Sequence, residues 1–260
     1  MREVIQKARE KGLEGVVFDL DGTAYKNSFA KSIGYEFLKR EAGNFHLGNV
    51  LNGLYGALKI NLQALNWNEH DERNAKGVKT LFEALGRIKC ADRNYAYYLA
   101  RQHMANNEID GLGNFLNDCR INLGPAFIAT EECDIAPDAI SEAYPIDGWS
   151  AYPVTYKTKS GEISADPIVF RKNDKWQGKS VITGNPIISG CKTENRKSKE
   201  QVQKLLHEAA GLNLSDVLAV GDSMPDLPIL EDAGLAASSP LAVKEIRNNK
   251  KIYHIRSYLD

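Results

Sequence analysis

The chain has 260 residues, of which 43% are hydrophobic and 26% charged, and its formal net charge at pH 7 is −1. This balance is typical of a globular protein and excludes an intrinsically disordered or collagen-like chain. The near-neutral charge gives no reason to expect a nucleic acid or a membrane surface as partner. A length above the ~100–150 residues of the commonest domains favours a core with a second module.

Targeting and redox signals are weak in this sequence. Residues 1–12 carry mixed charges and lack the apolar core of a secretory signal, and no run approaches the ~18 apolar residues of a membrane span. We therefore expect a cytoplasmic protein without a membrane partner. The cysteines are widely separated and lack CxxC spacing, which predicts buried free thiols rather than a disulfide or metal framework: Cys90, Cys119, Cys133 and Cys191.

The first predicted strand covers residues 15–18 and ends on a polar loop, Asp19-Leu20-Asp21-Gly22-Thr23. A buried strand that delivers polar residues at its carboxyl end is typical of ligand sites in open α/β sheets. Asp19 and Asp21 stand at i and i+2, so both can point toward the same mouth of the sheet, and Gly22 allows the chain to turn away.

Residues 27–118 are rich in helix formers, with apolar residues at helical spacing and no convincing strand run, for example Leu81, Leu85 and Ile88. We predict a helical insertion there. Beyond it, the pattern predicts a strand at residues 126–130, a helix at 138–143 and a small β-hairpin within 152–171 around a Lys159-Ser160-Gly161 turn. Ile187 and Ile188 continue this β-rich region.

The last quarter of the chain again alternates helices and strands. A helix is predicted from Lys199 to a cap at Gly211, followed by a buried strand at 217–221 that ends on Asp222. A short helix from about residue 225 to Gly234 and strands at 235–237 and 252–255 complete the pattern. Strands that alternate with helices predict an α/β fold, a Rossmann-like parallel sheet covered on both faces.

Two acidic clusters follow two of these predicted strands. Asp222 and Asp226 come from the second strand end, and in a parallel sheet that end lies at the same edge as Asp19 and Asp21. Four converging carboxylates repel each other unless a divalent cation and a lysine neutralise them. Ligation by oxygen alone favours Mg²⁺ over zinc.

These residues resemble motifs of the haloacid dehalogenase superfamily. Asp19-Leu20-Asp21-Gly22-Thr23 is similar to its first motif, and Gly221-Asp222-Ser223-Met224-Pro225-Asp226 is similar to its fourth. Lys199, 23 residues before Asp222, is placed like the third-motif lysine of the phosphoserine-phosphatase-like branch, and Thr130 fits the second motif. The resemblance implies a Rossmann-like core at residues 1–24 and 120–260 and a helical C1-type cap at 25–119.

The resemblance also implies a Mg²⁺-dependent phosphatase of small phosphorylated metabolites. Asp19 is then the nucleophile that forms an aspartyl-phosphate, and Asp21 protonates the leaving oxygen and later activates water. The implied metal ligands are Asp19, the Asp21 backbone carbonyl and Asp222, with Asp226 supporting the metal site or Lys199. Lys199, Thr130 and the backbone N–H groups of Leu20 and Gly22 are the implied partners of the phosphoryl oxygens. Dehalogenase members lack a carboxylate at the position of Asp21, so its presence favours phosphoryl transfer.

Several alternatives stay open at the level of sequence. Ser180 and Thr183 compete with Thr130, and Lys197 competes with Lys199. A phosphotransferase or phosphomutase would use the same phosphoaspartate, and a non-catalytic binding protein could share the fold. Phosphoserine phosphatases carry an early cap glutamate where this chain has Tyr25-Lys26-Asn27-Ser28, which argues against serine phosphate as the substrate. One group of cap residues is interpreted mainly as helix packing, with pocket lining as the alternative: Tyr95, Tyr97, Tyr98, Arg101 and His103.

Overall fold

A computed structural model of the protein describes residues 2–43, 70–86, 91–180, 182, 184–192 and 198–259. Its strands are β1 (Val16–Phe18), β2 (Ala126–Cys133), β3 (Gly148–Tyr152), β4 (Val154–Thr158), β5 (Gly161–Ser164), β6 (Ile168–Lys172), β7 (Lys175–Gln177), β8 (Ile187–Cys191), β9 (Leu218–Gly221), β10 (Leu235–Ser238) and β11 (Tyr253–His254). Its helices are α1 (Arg2–Glu10), α2 (Phe29–Gly43), α3 (His70–Gly86), α4 (Arg93–Asn107), α5 (Leu112–Asn122), α6 (Ile135–Ala143), α7 (Lys199–Ala210), α8 (Leu227–Asp232) and α9 (Lys244–Arg247), with short 3₁₀ turns at Leu214–Asp216 and Met224–Asp226.

The main sheet has the strand order β11-β10-β9-β1-β2-β3-β6-β7. Every neighbouring pair from β11 to β3 is parallel, while β6 and β7 add an antiparallel edge. Strand β1 therefore lies in the middle of the sheet, with β9 on one side and β2 on the other. The predicted α/β class with a mainly parallel sheet is confirmed.

Both faces of this sheet are covered. Side chains alternate along a strand, and Val16 and Phe18 pack into one hydrophobic cluster while Val17 packs into another. The second cluster includes the apolar face of α7, with Val202, Leu205 and Leu206. This helix begins and ends as predicted, because the Ser198 hydroxyl accepts the Gln201 N–H at 3.2 Å and Gly211 adopts a left-handed φ of 72°.

The predicted hairpin is confirmed in its first half and wrong in its second. Strands β4 and β5 form it, and β8 joins β4 to make a three-stranded antiparallel sheet. Strand β6 instead leaves this unit and pairs with β3 in the main sheet. Pro167 precedes β6 and has no N–H to donate to a ladder, which is consistent with a break in pairing there.

The described part of the predicted insertion is helical. Helices α2 and α4 pack together, with the rings of Phe37 and Tyr95 edge to face at 5.1 Å. Helix α3 lies so close to β8 that a Cβ on Gly86 would come within 2.8 Å of the Ser189 carbonyl carbon. Helix α5, at the end of the predicted cap, packs against α1 and β2. Ile88 lies outside the described residues.

The thiol prediction agrees with the structure where it can be compared. Cys119, Cys133 and Cys191 are buried and free, and Cys90 lies outside the described residues. None of the helices in the described ranges is long and apolar enough to cross a lipid bilayer.

A buried carboxyl group between β2 and α6 makes stability depend on pH. Burial raises the pKa of Asp134 from 3.8 to about 7, although its Oδ1 accepts the Val154 N–H at 3.0 Å. The unfolded chain loses this proton at lower pH than the folded chain does. The stabilisation is therefore fully present below pH 3.8 and is lost as the pH rises to about 7.

The variant Asp134→Asn is expected to remove this pH dependence. Asparagine keeps the oxygen that accepts the Val154 N–H and does not ionise. Urea unfolding should show the variant gaining stability over the parent chain from pH 5 to pH 8, by on the order of 3 kcal/mol for the roughly two pH units between pH 5 and the folded pKa of about 7. If the free energies of unfolding of variant and parent differ by the same amount at pH 5 and at pH 8, this account is contradicted.

Candidate active site

The two acidic motifs meet because their strands are neighbours. Phe18 pairs with Val220, and the Asp19 N–H donates to the Val220 carbonyl at 3.1 Å. Asp19 follows the end of β1, and Asp222 follows the end of β9. One carboxylate oxygen from each of Asp19, Asp222 and Asp226 lies within 4.8 Å of the other two. The structure thus brings three of the four predicted carboxylates into one cluster.

Asp226 is fixed by its own loop. Its Oδ2 accepts hydrogen bonds from the Asp222 N–H at 2.9 Å, the Ser223 N–H at 3.0 Å and the Ser223 hydroxyl at 3.2 Å. The 3₁₀ turn at Met224–Asp226 folds this carboxylate back over the end of β9. Gly221 provides the space for this carboxylate, because a Cβ at position 221 would lie 2.6 Å from the Asp226 Cβ. The carboxylate is therefore held in place by the backbone before any ligand binds.

Residues of the first motif hold the side chain of Asp222 in position. The Thr23 hydroxyl donates to its Oδ1 at 3.1 Å. Gly22 has a left-handed φ of 73°, and a Cβ on it would lie 2.6 Å from the Asp222 Cγ. The loop itself is anchored from the C-terminal part of the chain, because Ser239 donates to the Gly22 carbonyl at 2.7 Å and Tyr258 donates to the Thr23 carbonyl at 2.8 Å.

The three-carboxylate cluster fits a hard divalent cation. Its donors are all oxygen atoms, and a spacing of at most 4.8 Å lets one ion contact all three at the ~2.0–2.6 Å typical of Mg²⁺ or Ca²⁺. Asp19 and Asp226 are buried, so their like charges are poorly screened by water. A bound cation would relieve that repulsion. Asp19, Asp222 and Asp226 are the side chains that could hold it.

The side chain of Asp21 is not part of this three-carboxylate cluster. Its Oδ1 is buried and has no hydrogen-bond partner in the described part of the chain. Burial raises the pKa of Asp21 well above its ordinary value, and the neighbouring carboxyl groups of Glu132 and Asp19 raise it further. The protonated form is favoured, which is the form that a leaving-group acid needs.

Glu132 is a residue of this site that the sequence pattern did not single out. This buried residue lies on β2, two positions beyond Thr130, and its carboxylate accepts the Ser28 hydroxyl at 2.7 Å and the Ala30 N–H at 3.1 Å. It therefore ties β2 to the start of α2, beside Asp21. The signal was available: an acid at i+2 on a buried strand faces the same side as Thr130. The predicted strand ends at residue 130, whereas β2 continues to Cys133 and includes Glu132.

Thr130 is buried on β2 near the loop that follows β1. Ile128 pairs with Phe18, so Thr130 lies beyond the end of β1, and its hydroxyl accepts the Glu132 N–H at 3.1 Å. The competing Ser180 hydroxyl donates to the Ser164 carbonyl in the small β unit. Thr183 lies outside the described residues. Thr130 therefore lies beside the loop after β1, whereas Ser180 is bonded within the small β unit.

Lys199, predicted to meet the phosphoryl oxygens, is engaged in an ion pair in the structure. Its ammonium group is ion-paired with Asp232, and the two side chains are 44% and 42% exposed. As the first residue of α7, Lys199 reaches the end of α8, where it pairs with Asp232 and both charges stay hydrated. Lys197, the alternative lysine, lies outside the described residues. The Gly22 N–H, also predicted to meet phosphoryl oxygens, instead donates to the Tyr25 carbonyl at 2.7 Å.

Comparison with known proteins gives matches among solved structures only. No family model and no curated protein matches the sequence. A substrate-bound phosphoserine phosphatase is similar with a TM-score of 0.58 at 16% identity, over 95% of this chain and 94% of that one. A haloacid dehalogenase family hydrolase from Salmonella enterica serovar Typhi has a TM-score of 0.59 at 16% identity, over 98% and 77%.

A third similar structure is a probable phosphoserine phosphatase from Vibrio cholerae, with a TM-score of 0.59 at 15% identity, over 98% of this chain and 68% of that one. At such low identity the likeness concerns the fold. It confirms, at that level, the resemblance predicted from the two aspartate motifs. The chain has the fold of the phosphoserine phosphatases and the haloacid dehalogenase family hydrolases.

Proposed function

We propose that this protein is a Mg²⁺-dependent phosphatase that hydrolyses a small phosphate monoester through an aspartyl-phosphate on Asp19. The observation that carries the proposal is the convergence of Asp19, Asp222 and Asp226 within 4.8 Å at the ends of two adjacent parallel strands. Asp21, two residues from Asp19, adds a buried carboxyl group that favours its protonated form. The fold similarity supports the same reaction class.

The chain's own residues supply the steps of the reaction. An Asp19 carboxylate oxygen attacks phosphorus, and the bond from phosphorus to the leaving oxygen breaks as Asp21 donates its proton to that oxygen. The Asp21 carboxylate then takes a proton from water, whose oxygen attacks phosphorus and releases Asp19 and inorganic phosphate. In this proposal the hydroxyl of Thr130, a buried residue of β2, donates a hydrogen bond to a phosphoryl oxygen. Bound Mg²⁺, held by Asp19, Asp222 and Asp226, would supply positive charge against the phosphoryl oxygens.

Removing the metal is the first test of this proposal. We expect Mg²⁺-dependent release of p-nitrophenol from p-nitrophenyl phosphate, with the activity lost in excess chelator and restored by added Mg²⁺. Monitoring phosphate release alongside, with and without acceptor alcohols, separates hydrolysis from transfer to an alcohol. Undiminished turnover in chelator would show that the carboxylate cluster does not act through a bound cation.

Two lysine variants test which residue opposes the phosphoryl charge. Because Lys199 is in an exposed ion pair with Asp232, Lys199→Ala should change kcat/KM by less than about threefold. If Lys197 binds the phosphoryl group, Lys197→Ala should lower kcat by about 100-fold or more. Steady-state kinetics on the two purified variants decides the matter, and the reverse order of effects would return the role to Lys199.

A further inference from the structure

Tyr258 lies far along the chain from the first acidic motif but contacts it directly. Its hydroxyl donates to the Thr23 carbonyl at 2.8 Å, across 235 positions of sequence, and the residue is only 1% exposed. Its ring stacks on Phe115 of α5 with 4.8 Å between the centroids. Burial raises the pKa of this phenol, so the hydroxyl keeps the proton that it donates. Tyr258 is therefore a fixed hydrogen-bond donor to the loop after β1.

The backbone of Tyr258 is also closely packed. Gly111, the residue before α5, has a left-handed φ of 89°, and a Cβ on it would lie 2.7 Å from both the carbonyl carbon and the carbonyl oxygen of Tyr258. Two residues earlier, the Ile109 N–H donates to the Ala24 carbonyl at 3.0 Å. The segment before α5 thus contacts both Tyr258 and the loop that Tyr258 anchors, which fixes the position of the phenol.

Thr23 joins Tyr258 to a predicted metal ligand. Its carbonyl accepts the Tyr258 hydroxyl, and its own hydroxyl donates to Asp222 Oδ1 at 3.1 Å. Thr23 is 1% exposed, so water has little access to either group. Two hydrogen bonds in series therefore connect the phenol of Tyr258 to a carboxylate of the three-carboxylate cluster.

Removal of the phenol hydroxyl would disturb this series at its first bond. Within the described part of the chain, the Thr23 carbonyl has no other hydrogen-bond donor. A buried carbonyl that loses its donor is costly, so residue 23 is expected to shift toward water or another partner. Such a shift moves the hydroxyl that orients Asp222. Groups that orient a metal ligand commonly change the affinity for the metal when they are altered.

We propose that Tyr258 is a positioning residue of the metal site, and that it raises the affinity for Mg²⁺ by holding Thr23 where its hydroxyl fixes Asp222. The inference rests on the proposed function, because it concerns the cation of the same site. Tyr258 acts through Thr23, since its hydroxyl is engaged with the Thr23 carbonyl. The competing account is a role in stability alone, which would leave the metal affinity of the folded protein unchanged.

The first test is Tyr258→Phe, which removes the hydroxyl and keeps the ring that stacks on Phe115. Titration calorimetry with Mg²⁺ alone, well below the unfolding midpoint, measures the affinity of the folded variant. We expect the dissociation constant for Mg²⁺ to rise by about fivefold or more. The Mg²⁺ concentration that gives the half-maximal rate with p-nitrophenyl phosphate should rise by the same factor.

Tyr253→Phe is the matched control. It removes a phenol hydroxyl from the same part of the chain, where Tyr253 faces Glu3 and Lys7 of α1, with the Lys7 Nζ 4.6 Å from the ring centroid. Its Mg²⁺ affinity should equal that of the parent chain. If metal-free Tyr258→Phe has a lower unfolding midpoint but the affinity of the parent chain, or if the control loses as much affinity, the inference is overturned.

Thr23→Val tests the route from Tyr258 to Asp222. Valine has nearly the shape of threonine and keeps the backbone carbonyl, but it has no hydroxyl to donate to Asp222. This variant should bind Mg²⁺ about 10-fold more weakly than the parent chain. Adding Tyr258→Phe to it should then change the affinity by less than about twofold, because both changes act on one contact. A further loss as large as that of Tyr258→Phe alone would overturn the inference.

The two proposals fail in different ways. A parent chain that binds Mg²⁺ and hydrolyses p-nitrophenyl phosphate, together with unchanged affinity in Tyr258→Phe, rejects the role of Tyr258 and keeps the phosphatase. A parent chain that neither binds Mg²⁺ nor hydrolyses any phosphate monoester rejects both.

Discussion

Asp19→Asn is expected to lower kcat for phosphate monoester hydrolysis by about 10⁴-fold or more while leaving the fold intact. The amide nitrogen cannot replace the attacking carboxylate oxygen, so the two-step route through a phosphorylated side chain is closed. The substitution also removes one of three negative charges gathered within 4.8 Å. Without metal, the thermal unfolding midpoint should therefore be unchanged or higher.

Asp232→Asn is the control for this experiment. It removes a carboxylate of the same type that is 42% exposed and paired with Lys199 on the surface. Activity should stay within about twofold of the parent chain, since exposed ion pairs contribute little. Near-full turnover in Asp19→Asn, with the control behaving as expected, would sink the assignment of Asp19 as nucleophile.

Gly22→Ala is expected to disable the same site from the backbone side. The left-handed φ of 73° is costly for alanine, and the new Cβ would lie 2.6 Å from the Asp222 Cγ. Asp222 must move, so the three-carboxylate cluster opens. We expect weaker Mg²⁺ binding by titration calorimetry and a fall in kcat/KM of about 100-fold or more.

The variant Gly12→Ala separates the effect of backbone strain from the effect of displacing Asp222. Gly12 has nearly the same φ, 71°, but nothing lies within 4 Å of its added Cβ. Both variants should lose a similar ~1–2 kcal/mol of stability to backbone strain, and only Gly22→Ala should lose metal affinity. If the two variants lose activity equally, the close approach of Gly22 to Asp222 has no role in the site.

The sequence was informative where local rules and strand order act together. Buried β-branched runs before Asp19 and Asp222 predicted β1 and β9, and parallel pairing then placed both acidic motifs at one edge. The helical spacing of apolar residues after Lys199 and the cap at Gly211 predicted α7 almost to the residue. These features depend on patterns of a few residues and on the rule that neighbouring parallel strands end together.

The sequence was uninformative where a side chain's role depends on distant partners. The interval from Lys199 to Asp222 predicted a position along the chain, but Lys199 turns to Asp232, an ion pair that no periodicity encodes. The contact of Glu132 with Ser28 joins residues 104 positions apart. The contact between the rings of His103 on α4 and Tyr25 in the loop after β1 likewise joins distant residues, and cap packing has no short sequence signature.

The central claim is that the phosphoryl group passes through Asp19. Borohydride reduces an acyl phosphate to an alcohol, so quenching the protein during turnover with borohydride and sequencing its peptides by mass spectrometry locates the phosphorylated carboxyl group. We expect homoserine at position 19, only when both Mg²⁺ and a phosphate monoester are present. Sustained turnover with residue 19 recovered as unmodified aspartate, and the reduced residue found elsewhere, would contradict the mechanism.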